Sequence, residues 1–148
     1  MLKCKPFNPC TYFSSFVCTK LFCFMAKHLL FIFAGGGIGS LLRYFFSSSF
    51  NPLFARFPLG TFLSNTISSL IVGLIVGYLA LKNVNQDFYR YFILAGVCGG
   101  FSTFSGFSNE TFTLLKSDSY EFALLNVALN VLVCLMAIWA GMKVSSLL

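Results

Sequence analysis

Four long apolar segments, separated by short polar or charged breaks, constrain the fold of this chain more than any other feature. They cover about residues 28–50, 59–81, 90–115 and 120–142, and a membrane helix needs about 20 mostly apolar residues. Only 9% of the 148 residues are charged and 57% are hydrophobic, whereas a soluble domain is about 25% charged. The sequence therefore predicts an all-α membrane protein with four transmembrane helices, and it disfavours a soluble helical bundle.

Residues 1–24 precede these segments and form an N-terminal extension. Early lysines followed by an apolar stretch are loosely typical of a signal peptide, but there is no small-residue cleavage site and Lys20 interrupts the stretch. Met25 opens "MAKHLLFIFAGGG", an ordinary beginning for a membrane protein. We expect residues 1–24 to be an extension or a mis-assigned start, and residues 25–148 to form one membrane domain.

The positive charge of the chain does not indicate a nucleic-acid partner. The formal net charge is +6, but the cations are scattered along the sequence instead of clustering on one face. Most of them lie at the ends of the apolar segments, where lysine and arginine meet lipid headgroups. More of the cations lie on the side of the membrane that holds the N-terminus than on the other side, which favours a cytoplasmic N-terminus. This difference is weak, so it is also compatible with insertion in both orientations.

Four polar residues interrupt the apolar segments, and each has two readings. Arg43 either reaches the headgroups from a helix end or lines an aqueous vestibule. Asn65 either forms a hydrogen bond between helices or directs an amide N–H at a pore. Asn126 and Asn130 share one face of the last segment at i, i+4, as packing contacts or as a pore wall.

The segment "GGFSTFSGFSNET" (99–111) is the most unusual part of the third span. The preceding "GVCGG" (96–100) favours a break in the helix, and unwound backbone at membrane depth is tolerated only inside protein or beside water. Phenylalanines recur every third residue, and the positive edge of an aromatic ring attracts an anion. These rings could instead be packing bulk, because the chain contains 20 phenylalanines.

Three motifs in order, "GGGIGSLLRYFFS", "PLGTFLSNTISSLIVG" and "GVCGGFSTFSGFSNE", resemble the CrcB/Fluc family of fluoride channels over about residues 27–143. The resemblance implies four membrane helices in an antiparallel, dual-topology homodimer. It also implies passive export of fluoride across a bacterial cytoplasmic inner membrane, and a structural Na⁺ at the dimer interface. Fluoride, the lipid bilayer and a second copy of the chain are thus the expected partners, and no enzymatic activity is expected.

The resemblance also assigns roles to individual residues. Na⁺ is expected at the backbone carbonyls of Gly99 and Ser102, where Ser102 replaces the usual threonine. Asn126 and Asn130 stand where the family often has tyrosine and serine. The expected fluoride pore consists of Arg43, Asn65, Thr103, Phe104, Ser105, Phe107, Glu110, Asn126 and Asn130.

Two other functions remain open at this point. A small proton-coupled exporter of cationic drugs needs a membrane-embedded carboxylate, and Glu110, late in the third span, is the only acidic residue that lies beyond the first turn of a span. A membrane subunit without transport activity would use its glycines and asparagines for packing alone. An enzyme has the least support, because the sole histidine, His28, has no clustered acid or nucleophile beside it.

Overall fold

The computed structural model describes the backbone of residues 9–54, 57–81 and 86–147, and side chains from Met25 onward. Residues 1–8 of the expected extension therefore lie outside the described residues, and only the backbone of residues 9–24 is described. Within the described residues, four helices are long and apolar enough to cross a membrane, which confirms the predicted class of multi-pass, all-helical protein. They are called here the first to fourth spans: Met25–Leu53, Leu59–Leu81, Phe88–Lys116 and Tyr120–Ser145.

The helix that contains the first span is longer than the predicted segment. Its backbone is helical over Pro9–Phe50, and a single 3-10 turn, Asn51–Leu53, follows it. Pro9 is tolerated because proline at the first helical turn costs no intrahelical hydrogen bond. The sequence contains no further proline until Pro52, so nothing in the predicted extension forces the helix to end before the first span.

Glycines allow the spans to pack with their backbones close together. In the contact between the first and third spans, a Cβ atom on Gly96 would lie 2.9 Å from Gly35 Cα, and one on Gly100 would lie 3.1 Å from Gly36 Cα. In the contact between the second and fourth spans, a Cβ atom on Gly73 would overlap the carbonyl oxygen of Ile138. Small residues have this role in membranes, where close van der Waals contact drives helix association.

Polar contacts connect the ends of the spans. At the start of the first span, His28 stacks on Tyr91 with ring centroids 3.9 Å apart. Asp87 lies 3.3 Å from His28 Nε2 and 3.9 Å from Lys27 Nζ. At the other end of that span, the Gly60 N–H donates to Asn51 Oδ1 over 2.8 Å, which satisfies a free donor at the start of the second span.

The third span is built from three helical pieces. It begins as a π-helix over Phe88–Cys98, continues through one α-helical turn over Gly99–Phe101, and resumes as an α-helix over Phe104–Lys116. The sequence gives no signal for the π-helical piece. Wider helical turns of this type occur most often at functional sites.

Two extended residues separate the last two pieces of the third span. Ser102 has φ −76° and ψ 154°, and Thr103 has φ −149° and ψ 119°. The Thr103 hydroxyl then accepts the Gly106 N–H over 3.1 Å and caps the helix Phe104–Lys116. The segment 96–100 stays helical, with Gly96 and Gly100 packed against the first span, so the interruption follows the glycines instead of falling among them.

Replacement of Gly73 by alanine is expected to loosen the contact between the second and fourth spans. Alanine normally favours a helix by about 0.5–1 kcal/mol over glycine, but here its methyl group would overlap the Ile138 carbonyl oxygen. We expect a net destabilisation of about 1–3 kcal/mol, measured as a lower midpoint of thermal unfolding in detergent. Gly37→Ala is the matched control, because nothing lies within 4 Å of a Cβ atom at Gly37. Equal midpoints for the two variants would contradict this packing.

Candidate functional site

An open groove of about 250 Å³ lies where the second, third and fourth spans meet at the interruption. Most of its wall comes from hydroxyl, amide and aromatic side chains of these spans. Asn65, Thr103, Phe104, Phe107 and Asn130, which the sequence predicts as site residues, all contribute to this one groove. Its lining consists of Asn65, Ser69, Ser102, Thr103, Phe104, Phe107, Asn130, Val131 and Cys134.

Asn65 holds the interrupted backbone of the third span. Its Oδ1 accepts the Thr103 N–H over 2.8 Å, and its Nδ2 donates to the Thr103 carbonyl oxygen over 3.4 Å. The same Nδ2 donates to Asn130 Oδ1 over 3.0 Å. Asn65 therefore forms the expected hydrogen bonds between helices and joins three spans, and the long bond to Thr103 leaves one of its N–H groups only weakly engaged. A pore-facing role for this amide stays a prediction.

The phenylalanines of the third span divide between the groove and the core. Phe104 is 80% exposed in the single chain, and its ring centroid lies 5.7 Å from that of Phe107 at an interplanar angle of 49°. Phe101 is buried and meets Phe46 edge to face at 5.2 Å. Phe104 and Phe107 thus line the groove, while Phe101 is packing bulk.

The two asparagines of the fourth span occupy different environments. Asn130 lines the groove and donates through Nδ2 to the Asn126 carbonyl oxygen over 3.0 Å and to Asn126 Oδ1 over 2.9 Å. Asn126 has no exposed surface and donates to Thr111 Oγ1 over 2.9 Å. A pore-lining role for Asn126 stays a prediction, and in this single chain it lies behind Asn130.

A second cavity of about 330 Å³ contains the remaining predicted side chains, Arg43, Ser105 and Glu110. Thr103 lines this cavity as well as the groove. Glu110 Oε1 accepts the Thr61 hydroxyl over 2.6 Å, while its Oε2 is buried and has no hydrogen-bond partner in the described part of the chain. No ion pair joins Arg43 to Glu110 among the described residues, although both residues line this cavity.

The sequence model of the family described as CrcB-like protein, Camphor Resistance (CrcB), matches residues 30–142. The chain belongs to the CrcB family. A relative in Flavobacterium psychrophilum is 39% identical over 120 residues, which are 80% of this chain and 97% of that protein. A relative in Pyrococcus abyssi is 44% identical over 115 residues, which are 78% and 93%. One in Escherichia coli O1:K1 is 39% identical over 108 residues, which are 73% and 86%. Each of the three is named fluoride-specific ion channel FluC.

Several polar residues of this CrcB-family chain belong to the site although the predicted set omits them. Ser69 and Cys134 lie four residues after Asn65 and Asn130, and this spacing indicates that they share the same helix faces. Ser40 and Ser47 flank Arg43 on one face of the first span and line its cavity. Their periodicity is a usable signal, but such residues are also common in helix contacts.

The two cysteines of the described CrcB spans should differ in reactivity towards a small, water-soluble maleimide. Cys134 is partly exposed in the groove, whereas Cys98 is 3% exposed. If the groove holds water, we expect modification of Cys134 to be at least tenfold faster, as measured by peptide mass spectrometry on the whole chain. Denatured protein is the control, in which both cysteines react. Protection of Cys134 equal to that of Cys98 would contradict an aqueous groove.

Proposed function

We propose that this chain is a fluoride-selective ion channel that lowers cytoplasmic fluoride by passive export across a bacterial cytoplasmic inner membrane. Relatives named fluoride-specific ion channel FluC align with most of its length. The observation that carries the proposal is the groove, in which the Asn65 amide and the rings of Phe104 and Phe107 meet beside the interrupted third span. No observation favours a proton-coupled exporter.

The chemistry of the groove suits a small, strongly hydrated anion. Asn65 supplies an amide N–H to the groove, and the Thr103 hydroxyl, which lines both spaces, lies 3.3 Å from the Ser105 hydroxyl in the second cavity. The edges of Phe104 and Phe107 add a weaker positive field. Conduction requires sites that are strong enough to admit an ion and weak enough to release it, and several moderate donors meet that requirement better than one strong site.

The second cavity would act as a vestibule for the same ion. Arg43 would raise the local concentration of anions there, as a charge does in a cleft with low-dielectric walls. Glu110 would oppose this effect when ionised. The Thr61 hydroxyl bound to Glu110 Oε1 and the Arg43 guanidinium in the same cavity offset part of that repulsion.

We infer further that the working unit is an antiparallel homodimer whose third helix is broken inside the membrane. In a single chain the groove is open and Phe104 is 80% exposed. Lipid chains would fill such an opening, whereas a second, inverted copy would close it. The extended residues Ser102 and Thr103 would then lie inside protein, as unwound backbone in a membrane requires.

The backbone around the interruption fits the structural Na⁺ expected from the family. The Thr103 N–H bonds to Asn65 Oδ1 instead of the Gly99 carbonyl oxygen, and the Gly106 N–H bonds to Thr103 Oγ1 instead of the Ser102 carbonyl oxygen. Both carbonyls are thereby released from helical pairing, and freed carbonyl oxygens are suitable cation ligands. Gly99 and Ser102 would hold the ion, whose charge would stabilise the two carbonyl dipoles.

Phe104→Ile is expected to reduce fluoride efflux from liposomes at least tenfold, because isoleucine keeps the apolar bulk but has no positive ring edge. Efflux is followed with a fluoride electrode after a potassium ionophore is added, because K⁺ that leaves through the ionophore compensates the charge of the departing fluoride. Phe112→Ile is the matched control, since Phe112 is an exposed ring on the same helix outside the groove lining. Folded wild-type protein without fluoride efflux would overturn the proposed function, and equal loss in both variants would remove Phe104 from the path.

A further inference from the structure

We propose that Asn126 is a positioning residue, and that a chain of three asparagines with a single donor direction sets the orientation of the Asn65 amide. The inference rests on the proposed function, because Asn65 matters for transport only if its groove conducts an ion. It assigns Asn126 no contact with the ion. The residue has no exposed surface and acts through Asn130.

The chain of hydrogen bonds crosses three spans and keeps one direction throughout. The Thr103 N–H donates to Asn65 Oδ1 over 2.8 Å, and Asn65 Nδ2 donates to Asn130 Oδ1 over 3.0 Å. Asn130 Nδ2 donates to Asn126 Oδ1 over 2.9 Å, and Asn126 Nδ2 donates to Thr111 Oγ1 over 2.9 Å. Every amide thus accepts through its oxygen and donates through its nitrogen.

A single amide in this chain cannot reverse without loss. With Asn130 turned over, its Nδ2 would face Asn65 Nδ2, so that two donors would meet. Its Oδ1 would face both the carbonyl oxygen and Oδ1 of Asn126, which lie 3.0 and 2.9 Å from the present nitrogen. Buried amides with mismatched partners are costly, and aligned hydrogen bonds strengthen one another in a low dielectric. Asn126 therefore fixes Asn130 through its carbonyl oxygen and its Oδ1, and Asn130 fixes Asn65 together with the Thr103 N–H.

Both ends of the chain lie in the segment that carries the aromatic pair. The first donor is the backbone N–H of Thr103, directly before Phe104. The last acceptor, Thr111 Oγ1, itself donates to the Phe107 carbonyl oxygen over 2.8 Å. The asparagines thus hold the segment from Thr103 to Phe107 at two points, so the positions of the rings and of the Asn65 amide are set together.

The consequence for an anion is that only one N–H of Asn65 remains adaptable. One N–H donates to Asn130 over 3.0 Å, and the oxygen is occupied by Thr103. The other N–H makes the long 3.4 Å bond to the Thr103 carbonyl oxygen. An ion in the groove would compete with that carbonyl oxygen for this N–H. A donor held in one position favours an ion of one size.

The test compares variants in liposomes for fluoride efflux and for the ratio of fluoride to chloride efflux. Asn126→Leu removes one of two acceptors for Asn130 Nδ2 and should lower fluoride efflux about tenfold, with a smaller fluoride-to-chloride ratio. Thr111→Val, a change of similar volume, removes the last link and the Thr111 bond to the Phe107 carbonyl oxygen, and it should lower efflux about threefold. Ser68→Ala is the control, because it breaks a buried 3.0 Å bond from the second to the third span outside the chain. Its efflux should stay within twofold of the wild type.

A second measurement separates positioning from general damage. If Asn126 acts through Asn130, adding Asn126→Leu to an Asn130→Leu variant should change efflux less than twofold. The Asn65 side-chain N–H signals, observed by NMR in selectively labelled protein, should exchange with solvent at least tenfold faster in Asn126→Leu and Thr111→Val than in Ser68→Ala.

The outcomes distinguish this inference from the proposed function. Wild-type efflux without loss in either chain variant would overturn the positioning role and leave the channel intact. The positioning role would also be overturned if the losses of efflux from Asn126→Leu and Asn130→Leu multiplied in the double variant, or if the solvent exchange of the Asn65 side-chain N–H groups stayed unchanged. If the wild type carries no fluoride, the proposed function fails, and the exchange rates at Asn65 still decide whether the asparagine chain orients that amide.

Discussion

The bond between Asn65 and the backbone of Thr103 is the interaction on which the site depends. Two extended residues within a membrane span leave peptide groups without helical partners, and each such group costs several kcal/mol in an apolar surrounding. Asn65 accepts the Thr103 N–H and donates to its carbonyl oxygen. A primary amide carries its donor and its acceptor on separate atoms of one neutral side chain, so Asn65 can pair with both the N–H and the carbonyl oxygen of Thr103. The interruption and the asparagine therefore require each other.

This bond is possible only because glycines bring the helix backbones together. Asn65 is a short side chain, and it reaches both Thr103 and Asn130 from the second span. A larger residue at Gly73 would meet the Ile138 carbonyl oxygen and hold the second and fourth spans apart. The apolar packing of the spans, which carries no chemistry itself, thus determines whether polar groups on three helices can meet within hydrogen-bonding distance.

Hydropathy alone was enough to predict the four spans. Within these apolar spans, the polarity of Arg43, Asn65 and Asn130 was enough to predict them as candidate site residues. The interruption at Ser102–Thr103 was less predictable, because Gly96 and Gly100 are flexible in isolation but pack against the first span and remain helical. Phenylalanines spaced by three rotate slowly around a helix, so only packing decides that Phe101 enters the core and Phe104 the groove. The i, i+4 spacing places Asn126 beside Asn130, but amide direction depends on partners in other spans.

The groove already uses nearly all of its amide hydrogens for internal bonds, and this bears on how a channel of this kind would choose its ion. Both N–H groups of Asn130 are taken by Asn126, and one of Asn65 is taken by Asn130. An anion that binds the second N–H of Asn65 must therefore displace the Thr103 carbonyl oxygen from it. Fluoride is the strongest hydrogen-bond acceptor among the halides and can compete with the 3.4 Å bond to Thr103. Chloride is larger and a weaker acceptor, so the hydrogen bonds that already occupy the amides of Asn65 and Asn130 oppose the binding of chloride more than that of fluoride.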